Sequence, residues 1–459
     1  MSWRPAIGHA VAGQPGQAAT AGLLGTAASY GIMISAFGTF GCHTKETMRS
    51  DIDRLMIDRQ VDALVVLNGD GMVSCNAAFA YMNGGADMRG LVVKRPGERP
   101  ILLYHPMEQH QAERTGLELV SLSRWNRKAF LADHGGDQLA GSAAHLWSIL
   151  HDVGVAGSVA FCGVDEVGAT YSLWRALENL GGIEVVGEFD QGILARARLT
   201  KDPDEAGAIV STSALASEVV LATYQLLRSC RVDDLGGLLD ADGRPLNVSA
   251  VKAFVRGELA SRDLEAPEGF IFALGSDAGF PHSAGRPDDV LRTGIPIVFD
   301  IFPRTHGGYY TDVTRTFCLG HATGPVVEAY SQLLDVFERV MGALQAGELA
   351  STYQEMTCDM LETLGHSTSR TDYAATEGYT SSLGHGVGLE IHEEPFIASI
   401  PGRSDRLDPG SVFTIEPGLY YPSRGFGMRI EDTVYCDSRG LFQRLTALPY
   451  DLVLPMEGG

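Results

Sequence analysis

The sequence predicts an α+β protein of two domains, and three observations support this. The chain has 459 residues, which is too long for one ordinary hydrophobic core. Between residues 45 and 195, short β-branched runs alternate with segments of helical periodicity, which favours an α/β domain. The C-terminal half has long amphipathic helices followed by β-rich stretches, a pattern typical of an antiparallel sheet backed by helices.

The first 43 residues differ in composition from the rest of the chain. The stretch 13–31 is rich in Ala, Gly, Gln and Thr and has only two strongly apolar residues, Leu23 and Leu24. This is too weak and broken for the apolar region of a secretory signal. We therefore expect residues 1–43 to be a disordered or loosely docked extension.

Residues 44–195 are expected to form the smaller N-terminal domain. A helix is predicted to begin at Thr44, and a second one over Tyr171–Leu180. Short apolar and β-branched runs predict strands over Val61–Leu67, Ile101–Tyr104 and Ser158–Phe161. The domain contains no cluster of potential ligands, so we expect it to serve packing, oligomer contacts and one wall of an active site.

A polar linker is predicted over residues 196–205, followed by a catalytic domain over residues 206–459. Asp202 is a good N-cap, Pro203 suits the first helical turn, and Glu205 completes a capping box. A second amphipathic helix is predicted to start near Pro325.

Composition excludes several classes of function. The chain has 57 acidic and 35 basic residues and a formal charge of −22, so a nucleic-acid partner is not expected. The seven cysteines are scattered without a Cys-x-x-Cys pair, which favours reduced thiols over a disulfide framework. No apolar run approaches the length of a membrane span. These features favour a cytoplasmic protein without a membrane partner.

The chemistry is predicted to lie in β-type segments that contain carboxylates and a histidine. A buried carboxylate without a partner is strongly unfavourable, so it becomes protonated, pairs with a base or coordinates a metal. The nearby arginines are too few to neutralise four acids. Four carboxylates and one imidazole suit a pair of divalent ions better than a lone structural zinc. The candidate metal ligands are Asp300, Asp312, His385, Glu416 and Glu431.

Three motifs in these segments carry a resemblance. They are Gly384-His-Gly-Val-Gly with His392-Glu-Glu-Pro, Thr414-Ile-Glu-Pro-Gly, and Arg429-Ile-Glu-Asp. With them, the C-terminal half resembles the creatinase, prolidase and methionine aminopeptidase superfamily, which has the "pita-bread" fold. The resemblance extends over residues 45 to 454, and Xaa-Pro dipeptidase and aminopeptidase P are the most similar members.

The resemblance implies a role for each candidate residue. Asp312 and Glu431 would bridge two metals, Asp300 would complete the shell of one ion, and His385 and Glu416 that of the other. His282 and His392 match the substrate-contacting histidines, and Arg429 matches an arginine that stabilises the carboxylates or the substrate terminus. Glu416, His392 and His282 are the expected catalytic residues. Three further histidines are expected to be structural or on the surface rather than catalytic: His306, His321 and His366.

The sequence departs from the superfamily at the first ligand. The usual Asp-x-Gly opening is replaced by Asp300-Ile-Phe-Pro, and the two aspartates are 12 rather than 11 residues apart. We expect the extra residue to lie in the turn at residues 304–308 and to leave both acids in place.

The function implied is a dinuclear-metal aminopeptidase or dipeptidase that cleaves the bond between an N-terminal residue and proline through a metal-bridging hydroxide. Mn is the first choice of metal, with Co, Zn or Fe as alternatives, and a small peptide and a second copy of the chain are the implied partners. One alternative is a lyase or carbon–nitrogen hydrolase on the same scaffold that acts on a small zwitterion. Another is a binding protein on an inactive peptidase fold.

Overall fold

The structure is a computed structural model, and it describes residues 51–68 and 76–457. The expectation for residues 1–43 and the predicted helix start at Thr44 lie outside the described residues.

The first described region contains a six-stranded sheet. Its order is β4-β3-β2-β1-β5-β6, with β1–β2–β3 antiparallel and the outer pairs β3–β4, β1–β5 and β5–β6 parallel. The strands are β1 Ala63–Asn68, β2 Gly90–Lys94, β3 Ile101–Tyr104, β4 Glu118–Ser121, β5 Gly157–Cys162 and β6 Ile183–Val186. The helices of this region are α1 Asp51–Asp58, α2 Ala77–Asn83, α3 Gln109–Thr115, α4 Arg127–Asp133, α5 Gln138–Asp152 and α6 Val167–Asn179. The strands and the helix predicted between residues 61 and 180 are present, with ends shifted by a few residues.

The segment predicted as a polar linker is largely helical. Helix α7 covers Ile193–Arg198 and helix α8 covers Pro203–Ser229, so few residues of 196–205 lie outside a helix. The capping box of Asp202 and Glu205 is present at the start of α8. Arg198 and Lys201 are buried, and both cations pair with acids of the C-terminal region.

The second region is built on a nine-stranded, mostly antiparallel sheet. Its main path is β10-β11-β13-β19-β16-β14-β15, with β20 beside β19 and β21 beside β13. Those strands are β10 Phe270–Leu274, β11 Pro296–Ile301, β13 Val313–Leu319, β14 Gly384–Gly386, β15 Glu393–Ile397, β16 Val412–Ile415, β19 Glu431–Cys436, β20 Phe442–Arg444 and β21 Val453–Leu454. Short two-stranded pairs accompany it: β7 Arg231–Val232 with β8 Leu238–Leu239, β9 Leu264–Glu265 with β12 Arg304–Thr305, and β17 Gly418–Tyr421 with β18 Phe426–Arg429.

Two pairs of helices cover this sheet, and each pair makes its own core. Helices α8 and α9 (Val248–Ala260) enclose a cluster that includes Val219, Phe272 and Phe299. Helices α10 (Gly324–Ala343) and α11 (Ala350–Thr363) enclose another that includes Leu333 and Phe413. The predicted α+β class with helices on an antiparallel sheet is therefore confirmed.

Helix α8 is long and apolar in composition. Among the described helices, it alone is long and apolar enough to cross a membrane by length and composition, although the sequence is not expected to contain such a run. Half of its most apolar stretch is buried, and residues such as Val219, Val220 and Leu227 belong to a core cluster with the sheet. Packing against the sheet accounts for its apolar character.

Candidate metal centre

Three neighbouring strands align polar side chains in one row. Asp300 on β11 lies opposite Thr314 on β13, and Thr314 lies opposite Glu431 on β19. Directly paired residues of adjacent strands project to the same face of a sheet. Asp312 precedes Thr314 by two residues, so strand alternation directs it to that face as well. The strand pattern thus concentrates three acids on one face.

The fourth candidate, His385, comes from β14 in the same sheet. Potential ligand atoms of Asp312, His385 and Glu431 all lie within 4.8 Å of one another, and all three residues are buried. His385 Nε2 is 3.8 Å from Asp312 Oδ2 and 3.3 Å from Glu416 Oε1. Glu416 follows the last residue of β16, where Pro417 interrupts the ladder. The fold therefore brings together the five candidate ligands from five strands or their ends.

The orientation of the His385 ring is set by the backbone. Its Nδ1 lies 3.1 Å from the carbonyl oxygen of Gly386, and a carbonyl can only accept, so Nδ1 carries the proton. The Nε2 atom faces the carboxylates of Asp312 and Glu416. Burial lowers the pKa of His385, but the hydrogen bond with Glu416 outweighs it and raises the pKa overall, so Nε2 can hold a proton that a metal would displace. This arrangement of a backbone-held imidazole is the one that metal-binding histidines adopt.

The acids of this site interact strongly because water is excluded. Burial raises the pKa of Asp312 well above its ordinary value, and the nearby carboxylates of Glu431 and Asp300 raise it further. Burial and the carboxylates of Glu416 and Asp300 likewise raise the pKa of Glu431. For Glu416, burial also acts upward, but the hydrogen bond with His385 lowers its pKa. Positive charge at this place would relieve the repulsion.

Some of the carboxylate oxygens are available to bind such a charge. Among the residues that the structure describes, the buried oxygens Asp300 Oδ1, Asp312 Oδ1 and Glu431 Oε1 have no hydrogen-bond partner. Buried polar atoms are nearly always paired, so each such atom indicates a missing partner. Three carboxylate oxygens and one imidazole lone pair are a donor set that suits first-row divalent metals. The residues present therefore fit the metal centre that the sequence predicts.

Arg429 and two hydroxyl groups hold the acids in place. Arg429 Nη2 donates to Asp300 Oδ2 at 2.5 Å, and its Nη1 donates to the Tyr420 hydroxyl at 2.8 Å. Its Nε donates to Thr314 Oγ1 at 3.1 Å, and that hydroxyl donates in turn to Glu431 Oε2 at 2.6 Å. Asp300 and Glu431 thus each have one oxygen fixed by the protein and one left for a ligand. The sequence did not single out Thr314 or Tyr420.

The site opens into a cavity of about 220 Å³. All eight predicted site residues line it: Asp300, Asp312, His385, Glu416, Glu431, His282, His392 and Arg429. His282 and His392 are exposed at the cavity, and the His392 ring lies 4.3 Å from that of His385. Partial burial, then the positive potential of His385, lowers the pKa of His392 to about 4. His392 is therefore a neutral imidazole at pH 7.

Other residues complete the cavity wall. Phe302 replaces the glycine of the usual Asp-x-Gly opening, and its side chain lines the cavity. The remaining wall residues carry no motif by which the sequence could have identified them: Glu268, Phe270, Ile271, Ala284 and Ile391. The three histidines expected to be structural or on the surface do not line this cavity. Among the described residues, His306 pairs with Glu265, and His366 bonds the Tyr421 hydroxyl and Gln332.

The segment in which the sequence predicts the extra residue between the first two acids contains a turn. Residues 304 and 305 form strand β12, and Gly308 N donates to the Thr305 carbonyl at 2.8 Å to close a turn. Gly307 within this turn has a φ of 61°, which a residue with a side chain rarely adopts. Asp300 and Asp312 face one cavity, and the position of the extra residue in this turn stays a prediction.

Comparison with known proteins agrees with this geometry. Residues 246–438 match the sequence profile of metallopeptidase family M24. The C-terminal region contains an M24 metallopeptidase domain. The motif-based resemblance to the creatinase and prolidase superfamily is thereby confirmed.

Relatives by sequence include dipeptidases. The chain is 29% identical over 262 residues to the probable dipeptidase PepE of Mycobacterium tuberculosis, covering 57% of this chain and 62% of that protein. It is 34% identical over 183 residues to the Xaa-Pro dipeptidase of Pyrococcus furiosus, covering 40% of this chain and 48% of that protein. The alignments thus span less than two thirds of these relatives.

Solved structures match over nearly the whole described chain. The prolidase of Pyrococcus horikoshii aligns with a TM-score of 0.66 at 21% identity, covering 88% of this chain and 99% of that one. The dipeptidase PepE of Mycobacterium ulcerans aligns with a TM-score of 0.67 at 22% identity, covering 90% and 98%. These matches confirm the predicted pita-bread fold for the M24 domain.

Proposed function

We propose that this protein is a dinuclear-metal peptidase that hydrolyses the bond between an N-terminal residue and proline. The observation that carries the proposal is the set of unpartnered buried carboxylate oxygens on Asp300, Asp312 and Glu431, which face one cavity with His385. Relatives named as dipeptidases and as an Xaa-Pro dipeptidase support the choice of substrate class.

The five candidate ligands would hold two divalent ions, with Asp312 and Glu431 shared between them. When bound, the ions would polarise the scissile carbonyl and lower the pKa of a water molecule toward about 7. Mn²⁺ is our first choice, and Co²⁺, Zn²⁺ and Fe²⁺ also accept this mixture of oxygen and nitrogen donors.

The protein's own residues would supply proton transfer and orientation. Glu416, with its lowered pKa, is charged at pH 7 and can take a proton from the attacking water and give it to the leaving nitrogen. His392 is neutral, so its N–H can donate to the carbonyl oxygen as negative charge develops there. His282 lines the same cavity and would orient the substrate.

The size of the cavity favours short peptides. Its volume of about 220 Å³ lies below the range of roughly 300–1,000 Å³ that is typical of sites for larger ligands. A dipeptide or the N-terminal end of a short peptide is therefore the proposed substrate. We also propose a cytoplasmic homodimer, to be tested by fractionation and by light scattering on the purified protein.

The proposal is tested by replacing the two shared acids. Asp312→Ala and Glu431→Ala should each bind fewer than two metals per chain and lose at least about 10³-fold in activity on Xaa-Pro peptides. Glu328→Ala, an exposed acid on α10, should retain both metals and activity. Retention of two metals by either shared-acid variant would rule out the assignment.

A substrate panel separates the proposal from the alternative on the same scaffold. Wild-type protein is loaded with each candidate metal and assayed on Xaa-Pro dipeptides, longer Xaa-Pro-Yaa peptides and small zwitterions, including sulfonium compounds. Cleavage of the proline peptides supports the peptidase. Turnover of the zwitterions alone would favour the lyase or carbon–nitrogen hydrolase.

A further inference from the structure

The short segment that carries His392 is held by charges from outside the M24 match. Residues 390–394 contain three glutamates, and each pairs with a cation. Arg196 pairs with Glu394, and Arg198 with both Glu390 and Glu393. Lys201 also pairs with Glu393. Arg196 and Arg198 lie in the last turn of α7, and Lys201 lies between α7 and α8, whereas the family match begins at residue 246.

The contact between Lys201 and Glu393 is the most buried of these pairs. Lys201 Nζ lies 2.5 Å from Glu393 Oε1, and the two side chains are only 2% and 4% exposed. The ammonium also donates to the Arg198 carbonyl at 2.9 Å, and Lys201 N donates to the Gly410 carbonyl at 2.8 Å. Lys201 is therefore fixed to both regions of the chain.

Glu393 connects this lysine to the catalytic segment on two sides. It is the first residue of β15 and the immediate neighbour of His392. Its carboxylate lies against the chain at Gly388, where a Cβ atom would come within 2.0 Å of Glu393 Oε1. Gly388 in turn follows His385 by three residues. The carboxylate thus lies between Lys201 and the segments that carry the two histidines.

Stability alone is a weak reason for such a pair. Removing two charges from water costs several kcal/mol per ion, and apolar residues of equal volume often stabilise a protein as well or better. A buried pair does, however, fix the relative position of the elements that it joins, because any displacement leaves a charge unpaired. The element fixed here presents His392 to the cavity, 4.3 Å from the His385 ring.

We propose that Lys201 is a positioning residue for catalysis, which acts through Glu393 to hold His392 at the cavity. The inference rests on the proposed function only where peptide hydrolysis is the measurement. Arg198 has a lesser part, since its partner Glu390 is 52% exposed and such pairs contribute little, while its Nε lies 3.6 Å from Glu393 Oε2 without a hydrogen bond. Arg196 and Arg403 hold the other end of the segment through Glu394.

The first test is a double-mutant cycle on metal-loaded, full-length protein. Lys201→Met should lower kcat by about 10- to 100-fold, because a displacement of about 1 Å at a reacting group has effects of this size. In a His392→Ala background the same change should lower kcat by less than about twofold. Metal content should be unchanged in all variants. Equal losses in both backgrounds would overturn the proposal.

A matched control and a milder variant separate positioning from folding. Lys94 is also a buried lysine paired with an acid, Asp53, in the N-terminal sheet, so Lys94→Met should keep the wild-type kcat. Glu393→Gln keeps the shape of the side chain and should reproduce the kcat loss of Lys201→Met with little change in KM. A kcat loss in Lys94→Met as large as that in Lys201→Met would count against the proposal.

A second measurement does not depend on activity. The imidazole resonance of His392 is assigned by its absence in His392→Ala and compared between wild type and Lys201→Met at one pH. We expect it to shift in Lys201→Met while the His282 resonance stays in place. If the wild type hydrolyses no Xaa-Pro peptide, the proposed function fails, yet this shift still tests the positioning role. An unchanged His392 resonance would refute it.

Discussion

The buried charges on the two faces of strands β13 and β19 differ in whether the chain itself supplies their partners. On one face, Arg315 and Asp432 pair at 2.7 Å, and their side chains are 2% and 0% exposed. On the other face, one residue away on each strand, Thr314 and Glu431 belong to the row of polar side chains beneath the cavity. The two sets share the same backbone and the same degree of burial.

The first face is saturated with partners from the chain itself. Asp432 accepts from Arg315 and from the hydroxyls of Thr446 and Tyr450. Arg315 also donates to the Glu431 carbonyl at 2.7 Å and lies over the Tyr450 ring at 4.3 Å. Such a pair, fully hydrogen-bonded, meets the requirement for burying charge.

The second face lacks that balance. Arg429 provides one cation for four acids, and one oxygen on each of Asp300, Asp312 and Glu431 remains unpaired. The comparison teaches how to distinguish the two kinds of buried acid. On these strands, the acid whose oxygens are all paired within the chain is structural, whereas an acid with an unpaired buried oxygen at the cavity indicates a ligand supplied from outside.

The largest effect is expected on the saturated face. Asp432→Asn leaves Arg315 buried without its counter-charge and should lower the free energy of unfolding by about 3–5 kcal/mol. Urea denaturation of the metal-free proteins measures it. Asp335→Asn, at an exposed pair on α10, should change the same quantity by less than about 0.5 kcal/mol. A small loss in Asp432→Asn would mean that this pair is not needed for the fold.

Metal addition should act through the other face. A divalent ion at 100 times its Kd stabilises a folded protein by about 2.7 kcal/mol. We expect thermal unfolding of chelator-treated wild type to move to higher temperature on addition of Mn²⁺. The Asp432→Asn variant, although less stable, should show an upward shift of similar free energy, because its defect lies on the opposite face. No upward shift in wild type would contradict the metal centre.

Much of this site could be predicted from the sequence because strands alternate regularly. The β-type segments offer Asp300, Asp312 and Glu431 as candidate ligands, and period-2 alternation places them on one face once the strands pair. Asp312, 12 residues after Asp300, lines the same cavity. Local pattern and chemistry were sufficient here.

The cations of residues 196–201 could not be recognised in the same way. Arg198 and Lys201 lie three residues apart in a polar stretch that is predicted to be a linker. Only the tertiary fold reveals that both side chains are buried. Their partners lie 192 positions further along the chain. A long-range pair of this kind leaves no periodic signal in the sequence.

Replacing Phe302 in the cavity wall should have a smaller effect, on the choice between substrates. Phe302→Ala removes a ring from the wall and should raise kcat/KM for Phe-Pro relative to Ala-Pro by about tenfold, since side-chain volume in a pocket typically contributes 1–3 kcal/mol to discrimination. Phe189→Ala, at a fully exposed phenylalanine, is the control and should leave the ratio unchanged. An unchanged ratio in Phe302→Ala would show that this ring does not contact the substrate side chain.

The smallest expected effect distinguishes the two faces by its sign. In metal-free protein, Asp312→Asn removes one of several mutually repelling acids, so it should raise the free energy of unfolding by about 1 kcal/mol, the size of a typical single-site change. The equivalent substitution at Asp432 lowers it, because there the lost charge had a partner. When Mn²⁺ is added, wild type should gain stability and Asp312→Asn should not, so the order of the two proteins reverses. Urea unfolding with and without the metal measures both signs, and a loss of stability in metal-free Asp312→Asn would mean that the acids of the cavity are compensated within the chain after all.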